Sequence, residues 1–187
     1  MATEYAKKSD NRLIKEVLRG DAQAYGELYL RYVEEIYRYV YFRAARNRSD
    51  AEDLTQVVFM RAWNTIMKNN TDHYHFRSLA YTIARNLTID QWRAKKEEIA
   101  LEDVEEESLS DPSKDPEQNA LKSEWIEGLH KAIRKLEPIM QDVIICRFAN
   151  QLSHADTAKI LGISEGHVRV LQHRALKEIR NQNDEKE

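Results

Sequence analysis

SHADTAKILGISEGHVRVLQHRALKEIR, residues 153–180, holds two short helical patterns with a tight break between them. Ser153 is of the type whose side-chain oxygen caps a helix N-terminus, and Asp156 three positions on can answer it as a short capping box. Ala158, Ile160 and Leu161 supply an apolar stripe. Gly162 follows, and glycine takes the left-handed conformation that ends a helix without steric penalty. Ser164 can cap the next pattern, with Glu165 near the positive end of its dipole. Val168, Ala175 and Ile179 then recur at helical spacing, with Leu171 and Leu176 on the flanks.

This spacing predicts a helix-turn-helix. Two steeply crossing helices need a small residue at their contact (Ala158), a permissive turn four residues later (Gly162) and an apolar anchor six beyond that (Val168). With Val168 inward, Gly166, Arg169, Val170, His173 and Lys177 lie on the outer face, which has the shape and charge to enter a major groove. An ordinary helical hairpin with a solvated basic face is the other reading of these residues. Arg169 lies on the early, groove-deep part of the second helix and is the candidate base reader. Lys177, two turns on, and Arg174 are candidates for phosphate contact, and His173 suits either role. Gln172, at the edge of the buried face, is expected to be a packing amide.

The rest of the chain is built in the same style. Five Gly, three Pro and scarce strand-like alternation predict an all-α protein of one domain or two small ones. The single cysteine, Cys146, lies in the apolar run VIICRF and reads as a packed, inert thiol. No long uncharged apolar stretch and no signal-like N-terminus occur, so a cytoplasmic protein without membrane insertion is expected. The net charge of −3 conceals a separation of charge. Glu97 to Gln118 carries ten acids against Lys114 alone. The segments on either side, Phe76–Lys96 and His130–Arg180, are each basic. Such separation says more about partners than the total does.

Met1–Ser9 reads as a frayed tail. Asp10–Arg19 reads as a helix with Leu13, Ile14, Val17 and Leu18 inward, stopped at Gly20. Asp21 caps a long helix whose stripe runs through Tyr25, Leu28, Tyr29, Tyr32, Val33, Ile36, Tyr37 and Val40. Ser49 and Glu52 form a capping box for a third helix, with Ala51, Leu54, Val58 and Ala62 on one face and Phe59 and Trp63 on others. The polar run 68–72 breaks it. A fourth helix follows from about Phe76, with Leu79, Ala80, Ile83, Ala84 and Leu87 inward and a basic end. Residues 97–119 read as a flexible acidic linker. The expected domains are therefore 10–96 and 120–181. In the second, Leu129, Ile133 and Leu136 precede a helix started by Pro138 and carrying Ile139, Val143, Ile144 and Phe148.

GDAQAYGELYLRYVEEIYRYV, DAEDLTQVVFMRAW, FRSLAYTIARNLTIDQWR and LGISEGHVRVLQHRAL, in this order and with the linker in this place, resemble a two-domain sigma factor of the extracytoplasmic-function (ECF) group. The resemblance covers most of the chain. It implies a dissociable bacterial RNA polymerase subunit, expected to be monomeric, that selects promoters and helps to open them. The first four helices would be region two and the C-terminal domain region four, meeting the β′ clamp and β flap of core polymerase. Asp53 and Gln56 match positions that bind the clamp helices in the family, with Glu52, Val57 and Met60 beside them. The family usually has an acid where this chain has Val57, which implies a more apolar or weaker contact. The block around Phe76–Arg93 matches the part that meets the downstream promoter element. It makes His73, Tyr74, Phe76, Arg77, Tyr81, Arg85, Asn86 and Arg93 candidates for holding unstacked bases beside a basic track. The family loop that captures a flipped base falls at about Lys68–His75 here, and the family's frequent Trp is Leu79. Phe76 and Tyr81 are equally readable as core. Ser164, Glu165, His167, Arg169, His173, Arg174 and Lys177 fall on the part that meets the upstream element. An anti-sigma factor is a common partner in the family.

Other classes leave different marks. A stand-alone helix-turn-helix regulator would bind operator DNA as a dimer on spaced half-sites, without polymerase. The few residues after Arg180 are too short for an added sensory domain. An enzyme would need a phosphate loop, metal cluster or nucleophile–base constellation, and the sequence has none that is convincing. His73 and His75 without further clustered ligands do not predict a metal, and no cofactor is expected.

Overall fold

The computed structural model describes residues 4–43, 48–70, 72, 75–99 and 128–184, apart from the side chains of 92–99 and 183–184. All regular elements among them are helical: α1 (Asp10–Leu18), α2 (Ala22–Arg43), α3 (Arg48–Asn69), α4 (Phe76–Ile99), α5 (128–135), α6 (Pro138–Ile144), α7 (His154–Leu161) and α8 (Glu165–Asp184). None of the described helices is long and apolar enough to cross a membrane.

Local chemistry places most boundaries. Gly20 stands at φ 93° after α1, where a side chain would be strained. The Asp21 carboxylate accepts from the backbone N–H groups of Gln23 and Ala24 at 2.9 and 3.2 Å, satisfying two orphan donors of α2. Asn70, at φ 45°, ends α3. Pro138 occupies the first turn of α6, where its missing N–H costs nothing. Ser49 departs from the expectation: α3 already includes Arg48, so Ser49 lies in the first turn and is not the N-cap.

Helices α1–α4 enclose an aromatic core. Phe76, wholly buried, meets Tyr25, Tyr32 and Phe59 at ring-centroid distances of 5.9, 5.5 and 6.2 Å. The tyrosines lie at the edge of this core, as their hydroxyls require: Tyr25 donates to the Phe59 carbonyl and Tyr32 to Asp10. Val58, Ala62 and Ile66 face one way on α3 while Phe59 fills another gap, so the helix is covered from two sides. The N-terminal segment is tied down, contrary to the expected fray. Glu4–Lys7 forms a 3₁₀ turn, Tyr5 donates to Asp21 at 2.8 Å, and Arg31 donates to the carbonyls of Tyr5 and Ala6.

Helices α5–α8 form the second group, around Ile133, Val143, Ile145, Val168 and Ala175. Between α6 and α7 the chain widens into a π turn, Ile145–Ala149, closed by Asn150 N–H donating to the Ile145 carbonyl at 3.0 Å. Such turns insert a residue and re-aim the side chains that follow. Here the re-aimed residue is Asn150, which points into the first helical group. The two groups are packed together, α2 against the π turn and α4 against α7.

Candidate functional site

The helix-turn-helix is built as its residues require. Ser153 Oγ accepts from Asp156 N–H at 2.9 Å and donates to Asp156 Oδ2 at 2.7 Å, closing the N-terminus of α7 through the aspartate side chain. Gly162 sits at φ 67°, and its amide donates back to the Ala158 carbonyl. Ser164 Oγ accepts from His167 N–H at 3.2 Å and starts α8. Val168 and Ala175 are fully buried and Leu171 nearly so. That facing leaves Glu165, His167, Arg169, His173, Arg174 and Lys177 exposed. Arg169 and Glu165 form an exposed pair at 3.3 Å, one turn apart. Gln172 accepts from Arg147 Nε at 3.1 Å, the packing role its position suggested. Leu176 is 42% exposed and belongs to the outer face, not to the flank of the core.

A second surface lies on α3. Glu52, Asp53, Gln56 and Met60 are exposed and Val57 is half-buried, while Ala51, Thr55 and Val58 turn inward. The inward set is what holds the outward set on one face. Met60, 57% exposed, adds an apolar patch beside the two acids and the amide. Further along, Arg61, Asn64, Thr65 and Lys68 of α3 and Ile83 and Asn86 of α4 line an open recess of about 280 Å³. Its walls combine two cations, two amides, one hydroxyl and one apolar side chain. That mixture suits a planar, polar group on a phosphate backbone, and the volume falls just below the ~300–1,000 Å³ of drug-sized sites. Of these six, the sequence marks Lys68 and Asn86 as site candidates and Ile83 as an inward residue of α4. Arg61, Asn64 and Thr65 sit at i, i+3, i+4 spacing on the open side of α3, a signal by which the sequence could have marked them.

Profiles of two families match the chain: Sigma-70 region 2 over residues 28–98, and Sigma-70, region 4 over residues 132–181. An ECF RNA polymerase sigma factor of Bacillus subtilis, SigW, is 32% identical over 177 residues, covering 90% of this chain and 94% of its own. The chain belongs to the ECF group of RNA polymerase sigma factors. Another such sigma factor, BldN of Streptomyces coelicolor, is 33% identical over 165 residues; these cover 88% of this chain and 62% of that longer relative. The solved structure of CnrH in complex with the cytosolic domain of CnrY shares the fold at TM-score 0.70 and 19% identity, over 96% of this chain and 100% of that one. The sigma factor RpoE of Bartonella quintana, solved in complex with the anti-sigma factor NepR, shares it at TM-score 0.63 and 20% identity, over 86% and 96%.

In this sigma factor the α4 candidates do not form one DNA-facing surface. Phe76 is fully buried in the aromatic core and cannot hold a base. Tyr81 is 1% exposed, edge-on to Tyr39, and its hydroxyl accepts from Asn150 Nδ2 at 2.7 Å. Burial drives its phenol far above the ordinary range. Arg77 makes a two-pronged bond to Glu35 at 2.7 and 2.8 Å, which holds its guanidinium charged more firmly than usual. Arg85 Nε lies 2.9 Å from Asp142 Oδ2; neither atom has a formed hydrogen bond, so this contact is Coulombic. Asn86 alone of the described α4 candidates is open to solvent, in the recess with α3. His73, Tyr74 and the side chain of Arg93 lie outside the described residues, as do linker residues 100–119. Leu79 is half-buried against the core.

Cys146 behaves as its sequence context implies. It is fully buried, and desolvation, then the nearby Asp142 charge, pushes the thiol well above the reactive range. Phe148, expected inside, is 51% exposed, because the π turn rotates it away from the face of Val143 and Ile144.

Proposed function

We propose that this chain directs core RNA polymerase to promoters and assists strand opening at the start of transcription. The observation that carries the reading is the pairing, in one chain, of a region-two bundle with an open α3 face and a region-four helix-turn-helix with a basic outer face. Glu52, Asp53, Gln56, Val57 and Met60 dock on the polymerase clamp: two carboxylates and an amide give orientation, and Met60 gives apolar contact. The recess of Arg61, Asn64, Lys68 and Asn86 takes an unstacked base of the downstream element. Arg61 and Lys68 lie where the backbone phosphates would pass. Arg169 reads a base edge of the upstream element, and Arg174 and Lys177 take phosphates. Residues 10–96 and 120–181 act as the two promoter-binding domains, joined by the acidic 97–119. The chain acts by binding and not by covalent catalysis, in the bacterial cytoplasm where core polymerase works.

The test is assembly. Gel filtration of the protein with purified bacterial core polymerase should yield a one-to-one complex, and the protein alone should elute as a monomer. Separate elution at micromolar concentrations of both would refute the reading.

A further inference from the structure

The outer line of α8 carries an apolar strip that phosphate contact does not explain. Val168 is fully buried and fixes the inward direction of the helix. Gly166 and Val170 each stand two residues from it, about 200° around a helix of 3.6 residues per turn, so they form the outermost ridge of the first two turns. Both are exposed, Val170 at 47%. Arg169 and His173 lie on one side of this ridge and His167 and Arg174 on the other, all exposed. The fold itself does not require a glycine at 166. Its backbone is right-handed, unlike that of Gly20 and Gly162. A Cβ added there would meet Ser164 Oγ alone, at 4.0 Å. Glycine is the poorest helix former after proline, so its use here weakens α8 for no gain among the described residues.

The edges that a duplex shows in its major groove are hydrogen-bonding groups, with one exception, the C5-methyl of thymine. A valine pressed against a purine N7, a guanine O6 or an amino group would strip water from it and supply no hydrogen bond. Pressed against the thymine methyl, it removes apolar surface from water on both partners. The basic flanks hold the helix between the phosphate walls of the groove, which sets the strip over the base edges. Gly166, one turn earlier, lets the helix come close, since a side chain there would meet the base edges first. We propose, on the sigma-factor reading that sets α8 in the major groove, that Val170 selects a thymine of the upstream promoter element through its C5-methyl, with Gly166 giving it the approach. Val170 is one residue from Arg169, a rise of about 1.5 Å along the helix against about 3.4 Å between base pairs. The thymine therefore adjoins the guanine that Arg169 meets.

Uracil isolates this contact, because it pairs as thymine does and lacks only the methyl. Holoenzyme assembled from the full chain and core polymerase is given a promoter that it transcribes, with each thymine of the upstream element, on either strand, replaced in turn by uracil. Competition binding should find one thymine whose replacement costs the wild type about fourfold, the equivalent of one buried methyl group. Val170→Ser should bind the thymine and uracil templates alike, with an unchanged melting temperature, since this side chain is half in water. Val170→Thr, which keeps a methyl in the same place, should retain the preference. Gly166→Ala should weaken both templates alike while its melting temperature holds or rises. Gly26→Ala of α2 is the control: equally exposed and with nothing within 4 Å of the added Cβ, it should leave binding unchanged. A wild type indifferent to every uracil, or a Val170→Ser variant that kept the thymine preference, would overturn the proposal. So would loss of core-polymerase association in Val170→Ser with the thymine preference intact, which would make Val170 a protein contact. If no protein, wild type included, supported transcription, the sigma-factor reading would fail. The same uracil scan, on duplexes that the protein alone selects from a random pool, would then decide the Val170 contact by the same criteria.

Discussion

Arg169→Ala is the substitution that most directly separates reading from holding. Arg169 is exposed, its only described polar partner is Glu165 at 3.3 Å, and its neighbour Val168 carries the packing. Removing the guanidinium should therefore leave the fold and melting temperature unchanged. The exposed pair with Glu165 is worth about 0.3–0.5 kcal/mol and has to be released before Arg169 can meet DNA. A two-pronged contact to a guanine edge supplies about 1–3 kcal/mol of discrimination. That release costs the same whichever base is met, so the discrimination of about 1–3 kcal/mol corresponds to a roughly 5- to 140-fold preference at one base position. The assay is transcription with core polymerase on templates carrying every single-base change in the upstream element, at two salt concentrations. Arg169→Ala should flatten the preference at one position and spare the others. Lys177→Ala, the control, should weaken all templates about equally and lower the salt slope by about one phosphate contact. Retention of the full wild-type preference by Arg169→Ala would show that the recognition helix presents a different face to DNA.

Asp53→Ala with Gln56→Ala should weaken association with core polymerase without loss of helicity, since both side chains are exposed; equal titration curves would remove the clamp role. Phe76→Ala should cost about 3–5 kcal/mol of stability through the cavity it opens, and a variant that stayed stable but failed in strand opening would restore Phe76 to the DNA surface. Gly162→Ala should cost about 1–2 kcal/mol; the added Cβ meets nothing within 4 Å, so the whole cost is the backbone at φ 67°, and an unchanged denaturant midpoint would contradict it. Burial beside Tyr41 and Phe42, then the charge of Arg134, pushes His130 down to about 4, whereas an unfolded histidine titrates near ~6.5. The unfolded chain binds the proton first, so stability present above pH ~6.5 should fall as pH drops towards 4, by on the order of 3 kcal/mol from this group. His130→Phe should flatten that part of the pH–stability curve, and an identical curve would refute the assignment.

Those features that depend on near neighbours in the chain were legible in it. Asp21, Ser153, Gly162 and Ser164 do what their types do at helix ends, and Val168 faces inward because the turn before it fixes the phase of α8. The α3 face was legible for the same reason: a helix with Ala51 and Val58 inside must show Asp53 and Gln56 outside. Asp142 was not legible. In PIMQDVIICRF it looks like a solvated break in an apolar run, and its burial depends on Arg43, which lies 99 residues earlier, and on Arg85. Asn150 is of the same kind, since its aim is set by a π turn that no short pattern signals. Phe76 and Tyr81 were ambiguous because aromatic side chains serve cores and base stacking equally well; neighbours from α2 and the π turn decided both for the core. Ser49 shows a smaller effect, a helix that begins one residue before its best cap.

Run-off transcription with purified bacterial core polymerase, on a pool of genomic promoter fragments, tests the central claim most directly. A discrete set of transcripts should arise only when both protein and core enzyme are present, and the protein alone should bind the same duplexes weakly and without half-site spacing. Tight, dimeric binding of the protein alone to a palindromic site, with no transcript added to those of core polymerase, would contradict the account.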